Sequence, residues 1–202
     1  KRQTQSMGMV PIDAYSTKAD AIVSSGYKWL RGTYGAAVGF ISPSIVNTLN
    51  PGLIGFRSNS DIWDLRADRL ELPEDASRFE FTTIHFGAAL GLAAAIDELL
   101  EMGMDEVWRH DLELADDLIR GAELLGIEVV SPTSDSERSA IVSLRMPSGL
   151  SSMEVSNRLQ SEYSILTTSR SGMLRVSPHI DNDASQIDSL VSALSDIVSK
   201  VG

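Results

Sequence analysis

Ser24-Ser25-Gly26-Tyr27-Lys28-Trp29-Leu30-Arg31-Gly32-Thr33-Tyr34-Gly35 is the most informative stretch of this chain. Just upstream, Ala21-Ile22-Val23 is a short, wholly apolar β-type run, the pattern of a strand buried on both faces of an α/β sheet. Ser24-Ser25-Gly26 turns the chain out of that strand, and Ala36 to Ile41 forms a second one. Lys28 lies between them. Taken alone, a lysine in a Gly/Ser loop after a buried strand is a solvated loop residue. Its neighbours open a second reading. Ser25 and Tyr27 offer hydroxyls on either side of a tight turn, which suits a phosphate dianion. Bulky Tyr27 and Trp29 flank the amine, the setting that desolvates a lysine for imine chemistry.

Outward from this stretch the chain changes rhythm twice. Gln5 to Asp13 reads as the exit from a strand, so an upstream part is expected. After the second strand, Pro43, Pro51, Gly52 and Gly55 punctuate a loop, and Asp61 to Arg69 and Glu71 to Arg78 are acid-rich, exposed connections. His85 to Met102 is helix-forming and apolar on nearly all sides, as expected of a helix buried between layers, and Gly103 ends it. Asp105 to Leu125 is an amphipathic helix with Trp108, Leu112, Ala115, Leu118, Ala122 and Leu125 at three-to-four spacing and Gly126 as its C-cap. Short apolar runs follow at Ile127 to Val130 and Ala140 to Met146, then a helix near Ser152 to Glu162. Strands are expected at Ser164 to Thr168 and Met173 to Ser177, and a last helix has Ile187, Leu190, Leu194 and Ile197 on one face. This second part is a small α+β domain with helices on one side of a short sheet.

Composition bounds the function. At 202 residues and 43% hydrophobic, the chain can bury the core of one large domain or two small ones. A net charge of -11 with no Lys/Arg run argues against nucleic acid and anionic membranes as partners. The longest apolar run, Ala88 to Ile96, soon meets Asp97 and Glu98, so no membrane span is expected. Lys1-Arg2-Gln3-Thr4-Gln5 has no apolar stretch behind it and is no signal peptide. With no cysteine in the chain, disulfides, thiolate metal sites and a cysteine nucleophile of its own are excluded, and a cytoplasmic setting is expected. His85, His110 and His179 are too scattered for a metal site and are taken as structural.

Asp20 to Phe40 resembles the cofactor-lysine segment of the class V aminotransferase superfamily of pyridoxal-phosphate (PLP) enzymes, of fold type I. There a buried strand, Ser-x-(His/Tyr)-Lys, a hydrophobic pair and a Gly-x-x-Gly turn follow in that order. The resemblance implies that Lys28 carries PLP covalently and that Ser25 and Tyr27 hold its phosphate. Tyr27 stands where His is commoner, as in the kynureninase-like and epimerase-like branches; cysteine desulfurases are a further branch. Thr4-Gln5-Ser6-Met7-Gly8 is similar to the family's Asp-x-x-Gln segment, which makes Gln5 the partner of the ring hydroxyl. The Asp that protonates the pyridine nitrogen is replaced by Arg2, which leaves a poorer electron sink, and a boundary or discontinuity is expected at residues 1 to 3.

Two further motifs follow in the family's order. By itself Arg78-Phe79-Glu80-Phe81-Thr82-Thr83 is an exposed salt-bridging turn with Thr83 as N-cap of the next helix. It also resembles Arg-Phe-Glu-x-Gly-Thr, which crosses a dimer interface in the family. That implies a homodimer in which Thr83 helps bind the neighbouring subunit's phosphate, although Phe81-Thr82 departs from the family's Gly. Leu174-Arg175-Val176-Ser177-Pro178-His179-Ile180-Asp181-Asn182 is, read alone, a strand with a surface or edge arginine. It resembles Arg-x-Ser-x-x-x-Tyr-Asn, with Asp181 in place of Tyr, and so implies that Arg175 pairs its planar fork with a substrate α-carboxylate.

The resemblance implies an α/β fold: the C-terminal part of a PLP-transferase large domain, three-layer αβα, over residues 1–103, then a linker helix and small α+β domain over 104–202. The other half of such an enzyme supplies the phosphate-binding helix N-terminus and the aromatic residue that stacks on the ring. The expected function is a PLP enzyme acting on the α-amino group of a small amino acid, with amino-acid and keto-acid substrates. Arg175 would hold the carboxylate and Lys28 would shuttle the Cα proton. Transamination comes first, then epimerisation or β/γ-elimination. Cysteine desulfuration is disfavoured, because there is no cysteine and the Thr167 to Met173 connection leaves no room for a mobile cysteine loop. A different class of reading is a non-catalytic half-protein that pairs with another chain.

Overall fold

The computed structural model describes residues 1–200, which fall into two units, Lys1–Met104 and the chain from Asp105 onward. In the first, β1 (Ala21–Ser25) and β2 (Ala37–Ile41) pair antiparallel, with Ala21 opposite Ile41 and Ser25 opposite Ala37. The other edge of β1 is taken by the chain start, running parallel: the Val23 N–H donates to the Lys1 carbonyl (3.0 Å) and the Gln3 N–H to the Val23 carbonyl (2.8 Å). Helix α1 (Phe86–Met102) packs Ala88, Leu92 and Leu99 inward, and the core there also holds Met9, Ile22, Trp29 and Leu30.

Three expectations change here. Val23 is 50% exposed, so β1 is not buried on both faces. α1 is likewise covered on one stripe only. Leu90 is 71% and Leu100 61% exposed, while Leu92 and Ala88, on the covered stripe, meet Gly26, Gly32 and Thr33 of the turn between β1 and β2. The N-cap of α1 is His85 and not Thr83: the His85 Nδ1 accepts the Ala88 N–H at 3.0 Å, a task a ring nitrogen can perform as a hydroxyl does.

Between β2 and α1 the chain is mostly exposed loop with short 3₁₀ turns at Val46–Thr48, Phe56–Ser58 and Ala76–Phe79. Asp64 is gripped by Arg66 (2.9 Å) and Arg69 (2.8 Å), and the Arg66 hydrogen bond holds its carboxyl down at about 2.

In the second unit α2 (Met104–Leu124) buries Val107, Asp111, Leu114, Ala115, Leu118 and Ala122 at helical spacing. Gly121 lies on the same side, where a Cβ would come within 2.4 Å of Val191; only a glycine lets α2 approach that closely. β3 (Glu128–Val129), β4 (Val142–Arg145), β5 (Thr168–Arg170) and β6 (Met173–Val176) form an antiparallel sheet in the order β3-β4-β6-β5. Val142, Leu144, Leu174 and Val176 are buried, and α3 (Ser152–Tyr163) packs on β5, β6 and α4 (Ala184–Ser199). The strand expected from Ser164 begins only at Thr168. Residues 164–167 are used to finish α3: Ser164 is left-handed (φ 59), the Ile165 N–H donates to the Leu159 carbonyl (2.9 Å), and the Ser156 Oγ donates to the Thr167 carbonyl (3.1 Å). Among the described residues no helix is long and apolar enough to cross a membrane.

Candidate functional site

The lysine turn is closed by its own backbone. The Gly26 N–H donates to the Ala36 carbonyl (3.0 Å), the Gly32 N–H to the Gly26 carbonyl (2.9 Å) and the Arg31 N–H to the Lys28 carbonyl (2.8 Å). Helix α1 seats the turn from one side: a Cβ on Gly26 or Gly32 would lie 2.8 Å or 2.6 Å from Leu92 Cδ1. Arg31 fastens it to the same helix through Glu98 at 2.9 Å. Trp29 and Leu30 point into the core and are 7% and 5% exposed. Lys28, between exposed Tyr27 and buried Trp29, is half-buried, as is Ser25.

Gln5 belongs to the same locus. The Ser25 N–H donates to Thr4 Oγ1 (3.3 Å), and Gly8, at φ +99, lies so close that a Cβ there would be 2.2 Å from the Trp29 carbonyl oxygen. The loop that carries Gln5 is therefore fitted against the Trp29–Leu30 peptide, one residue beyond Lys28. Among the described residues the side chains of Gln5, Ser25, Tyr27 and Lys28 make no hydrogen bond or ion pair, so their polar atoms are available to a ligand. Arg2, exposed, bridges Val23 in the parallel strip beside β1.

Thr83 is in the same unit but is exposed, and no hydrogen bond joins it to the lysine turn among the described residues. Its segment is held from behind. Arg57 clasps Glu80 through Nε (2.9 Å) and Nη2 (2.5 Å), the Ser58 Oγ donates to the Glu80 carbonyl (2.8 Å), and buried Arg78 donates to Asn47 Oδ1 (2.8 Å). These anchors stop at Glu80 and leave residues 81–84 facing solvent.

Arg175 is in the second unit. It sits at the middle of β6 with Ser143 of β4 on one side and Thr168 of β5 on the other. Because Leu174 and Val176 are buried, strand alternation puts Arg175 on the sheet face away from α3 and α4. Its Nε is buried and has no hydrogen-bond partner among the described residues, as is also true of Arg78 Nε and Arg138 Nε.

The structure adds a pair that sequence reading missed. Asp111, fully buried on α2, meets His179 Nδ1 at 2.8 Å, and its other oxygen has no partner among the described residues. Next to it, His110 Nε2 contacts the Asn182 carbonyl at 2.9 Å, so α2 holds the β6–α4 connection at adjacent residues. The available signal was Asp111 itself, a carboxylate in phase with the apolar stripe of a helix.

A family model described as aminotransferase class-V matches residues 3–190. A probable cysteine desulfurase of Pyrococcus abyssi is 27% identical over 207 residues, covering 96% of this chain and 50% of that protein. A probable hercynylcysteine sulfoxide lyase of Mycobacterium tuberculosis is 27% identical over 188 residues, covering 87% of this chain and 44% of that protein. The apo structure of a cysteine desulfurase from Thermococcus onnurineus NA1 superposes with a TM-score of 0.87 at 25% identity, over 98% of this chain and 52% of that one. The chain spans about half the length of the curated relatives it matches.

Proposed function

We propose, from the premise that this chain belongs to the class-V aminotransferase family, that it forms the cofactor-lysine and carboxylate-binding part of a PLP enzyme that cleaves the carbon–sulfur bond of a small amino acid. The observation that carries this reading is the closed turn holding Lys28, with Ser25, Tyr27 and the Gln5 loop set around it and their side-chain polar atoms without a partner among the described residues.

PLP, the cofactor of this family, withdraws electrons from the α-carbon of a bound amino acid. The residues present fit it. Ser25 and Tyr27 hydroxyls suit the phosphate, the Gln5 amide suits the ring hydroxyl, and Lys28 Nζ is the group to hold the cofactor and to move the proton at the substrate α-carbon. Arg175, whose buried Nε has no acceptor among the described residues, binds the substrate carboxylate. Thr83, on a segment that is anchored up to Glu80 and exposed beyond it, reaches the phosphate of a second subunit, which makes the assembly a homodimer.

Two features favour sulfur chemistry of the lyase kind over transamination. Both relatives described above carry names of sulfur-amino-acid enzymes, a desulfurase and a lyase. Arg2, where the family has a carboxylate, leaves the ring a weaker electron sink; that handicaps transamination more than loss of a β-sulfur substituent, since the departing sulfur carries charge away. Desulfuration needs a thiol acceptor from outside these residues, because none of the 202 is cysteine and β5 joins β6 through Ser171-Gly172 alone.

The test uses the intact protein with excess PLP. Borohydride should fix the cofactor on the Lys28 peptide, and Lys28→Ala should abolish that attachment without unfolding the protein. An S-substituted cysteine should then yield pyruvate with no acceptor added. Alanine formed only when thiol is supplied would mean desulfuration, and a keto acid without sulfur release would mean transamination. Failure to take up PLP at all would leave a non-catalytic half that pairs with another chain.

A further inference from the structure

Tyr34 lies in the Gly32–Gly35 turn and is 81% exposed, yet its ring is stacked on that of Tyr27, with centroids 4.6 Å apart and planes 18° from parallel. The turn explains why it stands there. Gly32 is pressed against Leu92, the Thr33 Oγ1 donates to the Ala88 carbonyl at the start of α1 (3.5 Å), and Gly35 takes a left-handed φ of +95. With Thr33 turned to the helix and Gly35 reversing the chain, Tyr34 is sent outward over the lysine turn. Tyr27 is itself 40% exposed and neither hydroxyl is hydrogen-bonded among the described residues, so the core does not fix the Tyr27 side chain. An exposed tyrosine samples several rotamers, and the ring stacked on it is what restricts them.

We propose that Tyr34 is a positioning residue for the phosphate of the cofactor: by stacking on Tyr27 it holds the Tyr27 hydroxyl ready beside Lys28. The inference rests on the PLP site proposed above, and it assigns to Tyr34 a role that acts only through Tyr27. The stack is worth about 0.5–1.5 kcal/mol, which converts to a two- to roughly tenfold change in cofactor affinity.

The experiment is a PLP titration of the intact protein, followed by visible absorbance and by quenching of tryptophan fluorescence, so that the readout is binding and not turnover. Tyr34→Ala should weaken PLP about two- to tenfold, and Tyr34→Phe, which keeps the ring, should restore the parent affinity. In a Tyr27→Ala background, Tyr34→Ala should have no further effect. No loss in Tyr34→Ala, an equal loss in both backgrounds, or a loss in Tyr34→Phe would each overturn the positioning role. Should Lys28→Ala and Tyr27→Phe also leave PLP binding untouched, the site itself has failed. If those two weaken binding and Tyr34→Ala does not, only the role of Tyr34 has failed.

Discussion

Replacing Arg175 by methionine keeps much of the side chain's length and removes the guanidinium. The Arg175 Nε is buried without a partner among the described residues, at the centre of a sheet where Ser143 and Thr168 flank it. A buried donor left unpaired costs about 1–3 kcal/mol, so Arg175→Met should stabilise the substrate-free protein by roughly 1 kcal/mol. For a unit of about 100 residues that is a rise in Tm of about 4–8 °C. Catalysis should move the other way. Truncating one partner of a desolvated charge pair costs about 2–5 kcal/mol, so kcat/KM for the amino acid should fall between tenfold and several-thousandfold. Arg175→Lys keeps the charge without the fork and should fall in between, while a matching amine that lacks the carboxylate should be affected little. The assay pairs a thermal melt of the unliganded protein with steady-state kinetics on the amino acid and the amine. A lower Tm in Arg175→Met, together with equal losses on both substrates, would show that Arg175 serves the strand and that the carboxylate anchor lies elsewhere.

Two other perturbations test the neighbouring parts. Gly8→Ala places a Cβ 2.2 Å from the Trp29 carbonyl oxygen at a left-handed φ of +99, so circular dichroism should show Tm falling by about 10 °C or more and PLP affinity dropping with it; an unchanged melt would mean the Gln5 loop is not seated as described. Sedimentation of the PLP-loaded protein should give a dimer, and Phe81→Glu, on the exposed segment beside Thr83, should shift it toward monomer and release cofactor; a strict monomer at micromolar concentration in the parent protein would remove Thr83 from the phosphate site.

What the sequence made legible was chemistry carried by neighbours along the chain. An apolar run, a Ser/Gly turn and a lysine with aromatic flanks lie within a dozen residues, so the turn around Lys28 follows from local geometry. α2 was equally readable, because its buried stripe repeats every three to four residues. Burial was not. The composition of α1 says that any face could be covered, and only the arrival of the β1–β2 turn against Ala88 and Leu92 decides which stripe is the covered one. The displaced start of β5 has the same origin, since Thr167 is committed to Ser156, eleven residues back on a helix.

The same division runs through the candidate site. Tyr27 and Lys28 were visible as a motif, but the ring that restrains Tyr27 is seven residues downstream and depends on Thr33 finding α1. Asp111 broke the apolar pattern of its helix without naming its partner, because His179 reaches it only after the whole sheet has been laid down in between. Thr83 lost its expected capping duty to His85, and that leaves its hydroxyl unclaimed on an exposed segment. A threonine that does not cap its own helix keeps its hydroxyl for other partners, and whether the phosphate of a second subunit is one of them is what the Phe81→Glu sedimentation experiment decides.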